Sequence, residues 1–238
     1  MMKFCDWVQT DKISYKVLCR NPRAIQYLEQ NPDRIDWSIL SYNPEAIHLL
    51  VKNPDKIDWR SLSANPAALE MLMEKPDDIV WGFFSRNSSA IHILKDRVES
   101  LNWNAVSANP AAIRLLLENP EKISWHRFSS NPAAIDYLQE NPDLIDWDYL
   151  SLNPAAMHLL KANPDLINWD YLSENRAALD LLTKNQDKIN WLCISSNPAI
   201  FEYDYQLMKE TTGVFVEELM ANRFNPKNMD KFEHWGFE

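Results

Sequence analysis

Glycine is nearly missing from this chain: Gly82, Gly213 and Gly236 are the only three. With so little glycine and so much Leu, Ala and Ile, the sequence reads as helical, and its 14 prolines serve as punctuation between short segments. Cysteine is equally sparse. Cys5, Cys19 and Cys193 are odd in number, far apart and without CxxC spacing. That pattern excludes a disulfide framework or a zinc site and points to free thiols in an intracellular, reducing compartment. Long apolar runs are absent too: no stretch approaches the roughly 20 residues needed to span a bilayer. The opening "MMKFCDWVQTDK" lacks the apolar core of a secretory signal. Positive charge is in deficit, with a formal net charge of -10 spread along the chain. This disfavours DNA, RNA and anionic membranes as partners. No P-loop, GxGxxG, GxSxG or HExxH occurs, so the expectation is a non-enzyme without cofactor or catalytic metal.

What is present is a period. Trp37, Trp59, Trp81, Trp103, Trp125, Trp147, Trp169 and Trp191 stand 22 residues apart, and Tyr15 falls one period earlier. The unit is approximately S-x-N-P-x-A-I-x-x-L-x-x-N-P-D-x-I-D-W-x-x-L, and a fixed period of this length marks a stacked-repeat architecture. In "SANPAALEMLMEKP", Asn65 is a favoured N-cap, Pro66 occupies the first helical position, and Ala68, Leu69, Met71 and Leu72 form an apolar face. The next Asn-Pro-Asp, such as Asn53-Pro54-Asp55, ends the helix and suits a tight turn. Seven of the eight residues that precede Trp are good caps, which predicts a short helix or 3₁₀ turn opening at each Trp. The indoles are expected in the core, and the Ser and Asn columns are read as capping and turn groups. Helices this short are marginal alone. They persist only where neighbouring units bury a shared face.

The fourth unit departs from the pattern: Asn87-Ser88 and Arg97-Val98 replace the two Asn-Pro steps. Without those prolines, "SSAIHILKDRVES" is expected to run as one longer helix and to alter curvature near residues 87–101. On the first helix of each unit, one exposed column reads Gln26, His48, Glu70, His92, Arg114, Asp136, His158, Asp180. This is the candidate partner-binding stripe. Its histidines lie too far apart to share a metal ion.

The units, as in "SANPAAIRLLLENPEKISW" (Ser107–Trp125) and "SSNPAAIDYLQENPDLIDW" (Ser129–Trp147), resemble the short Asn-Pro/Trp helical repeats of large DNA viruses of amoebae and algae. The ending "FNPKNMDKFEHWGF" resembles a closing segment of such proteins. The alternation of a helix with a shorter turn is also similar to leucine-rich-repeat-variant proteins. These resemblances imply an architecture more than an activity. The reading is therefore an all-α, right-handed α-solenoid of about nine 22-residue units, rod-like or gently curved and some 70–90 Å long, at roughly one helix spacing per unit. Residues 1–12 form an N-terminal cap, 13–207 the repeats and 208–238 a helical C-terminal cap. The expected function is non-catalytic binding of a protein partner along an extended surface. A structural or virion-associated role is the alternative, single-stranded nucleic-acid binding is less favoured, and self-association is possible.

Overall fold

A computed structural model describes residues 2–210 of the chain. It contains two compact bodies, Phe4–Phe201 and a second one made of residues 1–3 with 202–238. In the described part of the second body, Lys3 and Glu202 pair at 3.1 Å, and Asp204 caps a helical segment at 205–210 by accepting from the Leu207 N–H. Among the described residues two short strands, Met2–Phe4 and Phe201–Tyr203, pair with each other. From residue 211 onward the expected C-terminal cap lies outside the described residues.

The larger body is an all-α repeat solenoid. Eight of the nine units open with a 3₁₀ turn, such as Pro66–Ala68, where Asn65 accepts from the Ala67 N–H. The turn continues as an α-helix, Leu69–Glu74 in this unit. A second 3₁₀ turn, Pro54–Lys56 in the preceding unit, leads into the Trp helix, Trp59–Ser63. The expected ten-residue helix is thus broken at its Ala, where Ala68 leaves helical geometry with φ -94° and ψ 9°. Six of the eight residues before Trp accept a helix-capping bond through their side chain. Val80 has no side-chain acceptor, and Ser124 turns its hydroxyl to His126 instead.

Three residues per unit fill the centre: the Ala of the 3₁₀ turn, the Leu four residues later, and the apolar residue three after Trp. Ala68, Leu72 and Leu62 are fully enclosed, as are their equivalents around the repeat. Burial of each such Leu contributes about 2 kcal/mol. In the last row the sequence Phe84, Val106, Phe128 sets a small side chain between two large ones, which conserves local volume. The indoles themselves are only half buried and pack against this core from its edge.

The expected rod is overturned by the hydrogen bonds between units. Asn43 uses its side-chain amide to donate to the Cys19 and Asn21 carbonyls of the preceding unit, at 2.9 and 3.0 Å. The same double contact recurs at Asn65, Asn87, Asn109, Asn131, Asn153, Asn175 and Asn197. Asn21, in the first unit, donates to the carbonyls of Ser195 and Asn197, at 3.2 and 2.8 Å. The last unit therefore stands where a unit before the first would stand. A second ladder closes in the same way. Ser41 Oγ donates to the Trp37 carbonyl and accepts from the Asp58 N–H, 17 residues on. Counted around nine periods of 22, Ser14 also follows Ser195 by 17, and its N–H donates to Ser195 Oγ at 3.0 Å. The body Phe4–Phe201 is a closed ring of nine units.

Closure has a local cause. After the 3₁₀ turn Pro198–Ile200 the chain leaves the repeat as a strand. The N-terminal segment supplies what that unit then lacks: the 3₁₀ turn Thr10–Lys12 occupies the place of Pro32–Arg34 one unit on, and Lys12 covers Trp191. Cys5 N–H donates to the Ile200 carbonyl, and Phe4 stacks on Phe201 with ring centroids 4.4 Å apart. Residues expected to shield a free end instead join the two ends. A linear stack leaves two apolar faces in water, and closure removes both.

The fourth unit keeps the register, and the expected continuous helix is absent. Ile91–Leu94 is followed by a 3₁₀ segment, Lys95–Ser100, broken at Arg97 with φ -130° and ψ 35°. That geometry is close to the φ -133° and ψ 62° of Asn53 at the equivalent position. Stacking against both neighbours, with Asn87 and Asn109 making their usual contacts, outweighs the lost prolines.

Candidate functional site

All eight residues of the candidate stripe, Gln26, His48, Glu70, His92, Arg114, Asp136, His158 and Asp180, are exposed. They sit on the longer helices, one per unit. Two of them reach the adjoining column, which lies three positions further along the helix. His48 meets Glu29 of the preceding unit at 3.0 Å, and His158 meets the Gln139 side chain of its preceding unit. Arg114 pairs with Glu118 on its own helix at 3.1 Å. Exposed pairs of this kind contribute roughly 0–1 kcal/mol, so the stripe is free to exchange them for a partner's groups.

The adjoining column carries a feature that the sequence reading passed over. At the position of Glu29 and Gln139, successive units place Val51, Met73, Lys95 and Leu117. Val51 is 60% exposed, Met73 43% and Leu117 44%, beside His48, Glu70 and Arg114 respectively. The signal was available as a 22-residue column of apolar residues one helical turn from the stripe.

The Trp helices of adjoining units pack side by side and face the opposite way, toward the axis of the ring. One cavity of about 280 Å³ is lined from Val17 and Arg20 through Tyr42 to Phe83 and Arg86. These residues come from the first to the fourth units. Successive Trp helices approach one another more closely than successive longer helices do, which places the Trp helices on the inner side of the ring. A second cavity, about 270 Å³, adjoins it at Phe83 and Arg86 and reaches Asn104 and Arg127.

Charge on this inner wall is segregated. The Trp segments of the first six units carry Arg20, Arg60, Arg86 and Arg127, of which Arg20, Arg86 and Arg127 line the cavities, and those of the next two carry Asp148, Asp170 and Glu174. Tyr149 and Tyr171 of those two acidic units have ring centroids 5.3 Å apart, and the neighbouring phenol of Tyr149 pushes the Tyr171 pKa up. Burial, and then the Glu174 and Asp170 carboxylates, raise the Cys193 thiol to about 11.

A third constellation is structural. Cations lie over the aromatic at the start of the Trp helix: Arg34 over Tyr15, Lys56 over Trp37 and Lys188 over Trp169, between 3.9 and 4.7 Å from the ring centre. Where that cation is replaced by Asp78 or Ser100, the preceding turn residue supplies it instead. Lys75 covers Trp59 at 5.0 Å and Arg97 covers Trp81 at 4.3 Å. Five of the eight indoles in the column are thus covered by the protein's own cations.

Cys5, Cys19 and Cys193 are free thiols, and among the described residues no three His, Cys, Asp or Glu side chains gather as a metal site. No helix of the described residues is long and apolar enough to cross a membrane. Comparison with known protein families, with curated proteins and with solved structures returns no match.

Proposed function

We propose that the chain is a non-catalytic scaffold that binds a protein partner along the outer helices of its ring. The observation that supports this reading is the pair of exposed columns described above. Val51, Met73 and Leu117 offer apolar anchors, and His48, Glu70 and Arg114 provide a polar margin beside them. Anchors ringed by polar groups are the usual composition of a binding surface. A ring without free ends holds such side chains at fixed spacing, so little conformational entropy is lost on association.

The test is affinity capture with the unaltered protein and with the triple variant Val51→Asp, Met73→Asp, Leu117→Asp. A partner retained at stoichiometric level by the first and lost by the second, with an unchanged thermal transition, supports the reading. Equal retention by both, or capture that follows the stripe variants His48→Ala and His158→Ala alone, overturns the apolar anchors. Light scattering on the same two proteins detects self-association through this face.

A further inference from the structure

We infer that the inner wall of the ring holds a binding site for a small polyphosphorylated molecule, centred on Arg20, Arg60, Arg86 and Arg127. The four arginines come from four different units, and three of them line two adjoining cavities. Arg20 and Arg86 line one cavity, Arg86 and Arg127 line the adjoining one, and Phe83 lines both. Arg60 stacks on Phe83 at 5.5 Å, and Arg20 on Tyr42 at 4.9 Å. Arg127 is steadied by the Asn104 side chain at 3.2 Å. Among the described residues no carboxylate lies within ion-pairing distance of any of the four.

Each of these facts bears on the ligand. The chain carries a net charge of -10, so two adjoining cavities lined by arginines and by no carboxylate are the opposite of its average surface. Arginines that share a cavity without a carboxylate repel one another, and an anion placed between them relieves that repulsion. Guanidinium presents a planar fork of donors that matches phosphate oxygens, and stacking on Phe83 and Tyr42 fixes two of the planes in advance. Several forks around one space call for several phosphates close together. A cavity of about 280 Å³ suits a small molecule, at the lower end of ordinary ligand sites. A nucleic-acid strand is disfavoured, because it would need to thread a closed ring past Asp148, Asp170 and Glu174.

The experiment is calorimetric titration of the full chain with three probes at low salt: inorganic tripolyphosphate, inositol hexakisphosphate and adenosine triphosphate. At least one is expected to bind with a dissociation constant well below about 1 mM. Arg20→Glu and Arg86→Glu should each weaken it tenfold or more, whereas Arg176→Glu, the same charge change on a side chain away from the cavities, should leave it within about twofold. Arg86→Gln is the fallback if the reversed charge prevents folding, and it is expected to weaken binding severalfold. Binding of no probe below about 1 mM overturns the site, and so does equal weakening by Arg86→Glu and Arg176→Glu. A single-stranded oligonucleotide that binds and is not displaced by tripolyphosphate would also sink it. None of these readouts depends on the outer face.

Discussion

Asn21 donates its side-chain amide to the Asn197 carbonyl at 2.8 Å, although 176 residues of chain separate them. The same amide donates to Ser195, and its own oxygen accepts from the Arg23 N–H. Asn109, in the middle of the chain, makes the corresponding three bonds with Ser85, Asn87 and Ala111. One residue next to the start of the sequence and one far from either end have the same surroundings.

Equality of surroundings implies equality of cost. Asn109→Ala and Asn21→Ala each take a donor from two buried carbonyls, one of which keeps a backbone N–H, and strip the Ala111 or Arg23 N–H of its acceptor, a loss of about 2–4 kcal/mol. Urea unfolding should show comparable destabilisation for both. If Asn21→Ala proves neutral while Asn109→Ala is costly, the units do not close.

Cys19 occupies the place of serine in the second ladder. Its Sγ donates to the Tyr15 carbonyl at 3.4 Å and accepts from the Asp36 N–H at 3.3 Å, as Ser41 Oγ does with Trp37 and Asp58. Cys19→Ser should therefore be tolerated within about 1 kcal/mol, since oxygen makes the stronger bonds at this position. Ser63→Ala strips the Val80 N–H of its acceptor and should cost about 1–3 kcal/mol. Thermal denaturation of the two variants compares them directly.

The thiols should be sluggish in the native state. Cys5 and Cys19 are buried, and Cys193 ionises only near 11. Because the thiolate is the reactive form, modification of the folded protein at pH 8 should be slow and should accelerate as pH climbs toward 11. The unfolded chain ionises Cys19 and Cys193 at lower pH than the folded one does. Stability from this source is therefore complete below about 8.5, the unfolded value, and falls as pH rises through the folded one. A fast, stoichiometric reaction with a thiol reagent at pH 7 would contradict this placement of Cys193.

The cations over the indoles stabilise without being essential. Lys56→Gln exposes one face of Trp37, and Lys75→Gln one face of Trp59, so each should cost about 0.5–1 kcal/mol. Tryptophan emission should shift to longer wavelength in both variants. Losses of several kcal/mol would mean that the lysines do more than cover a ring.

Much of this was legible before any coordinates. The period, the caps at Asp36 and Asp58 and the exposure of His48 and His158 follow from spacing and residue type. Closure was not, because the sequence gives the stacking of one unit on the next but not the small angle between them, which accumulates over nine steps. The inner wall was hidden for the same reason. Arg20 and Arg86 are 66 positions apart in the chain, and only curvature brings them to one cavity. The dual use of Asn65, which caps its own turn and binds two carbonyls of the preceding unit, was half visible. Propensity predicts the local half, and only packing shows the other.

An open array of repeats can be lengthened by duplicating one of its members, and families of such arrays vary freely in number. Here the terminal segments meet in register, so each member turns through one-ninth of a circle, and a tenth would have to reset that angle at every contact. Gain or loss of a member is thus a change of the entire object, not of its length. The count is fixed by geometry, and descent with an altered count would require many simultaneous adjustments.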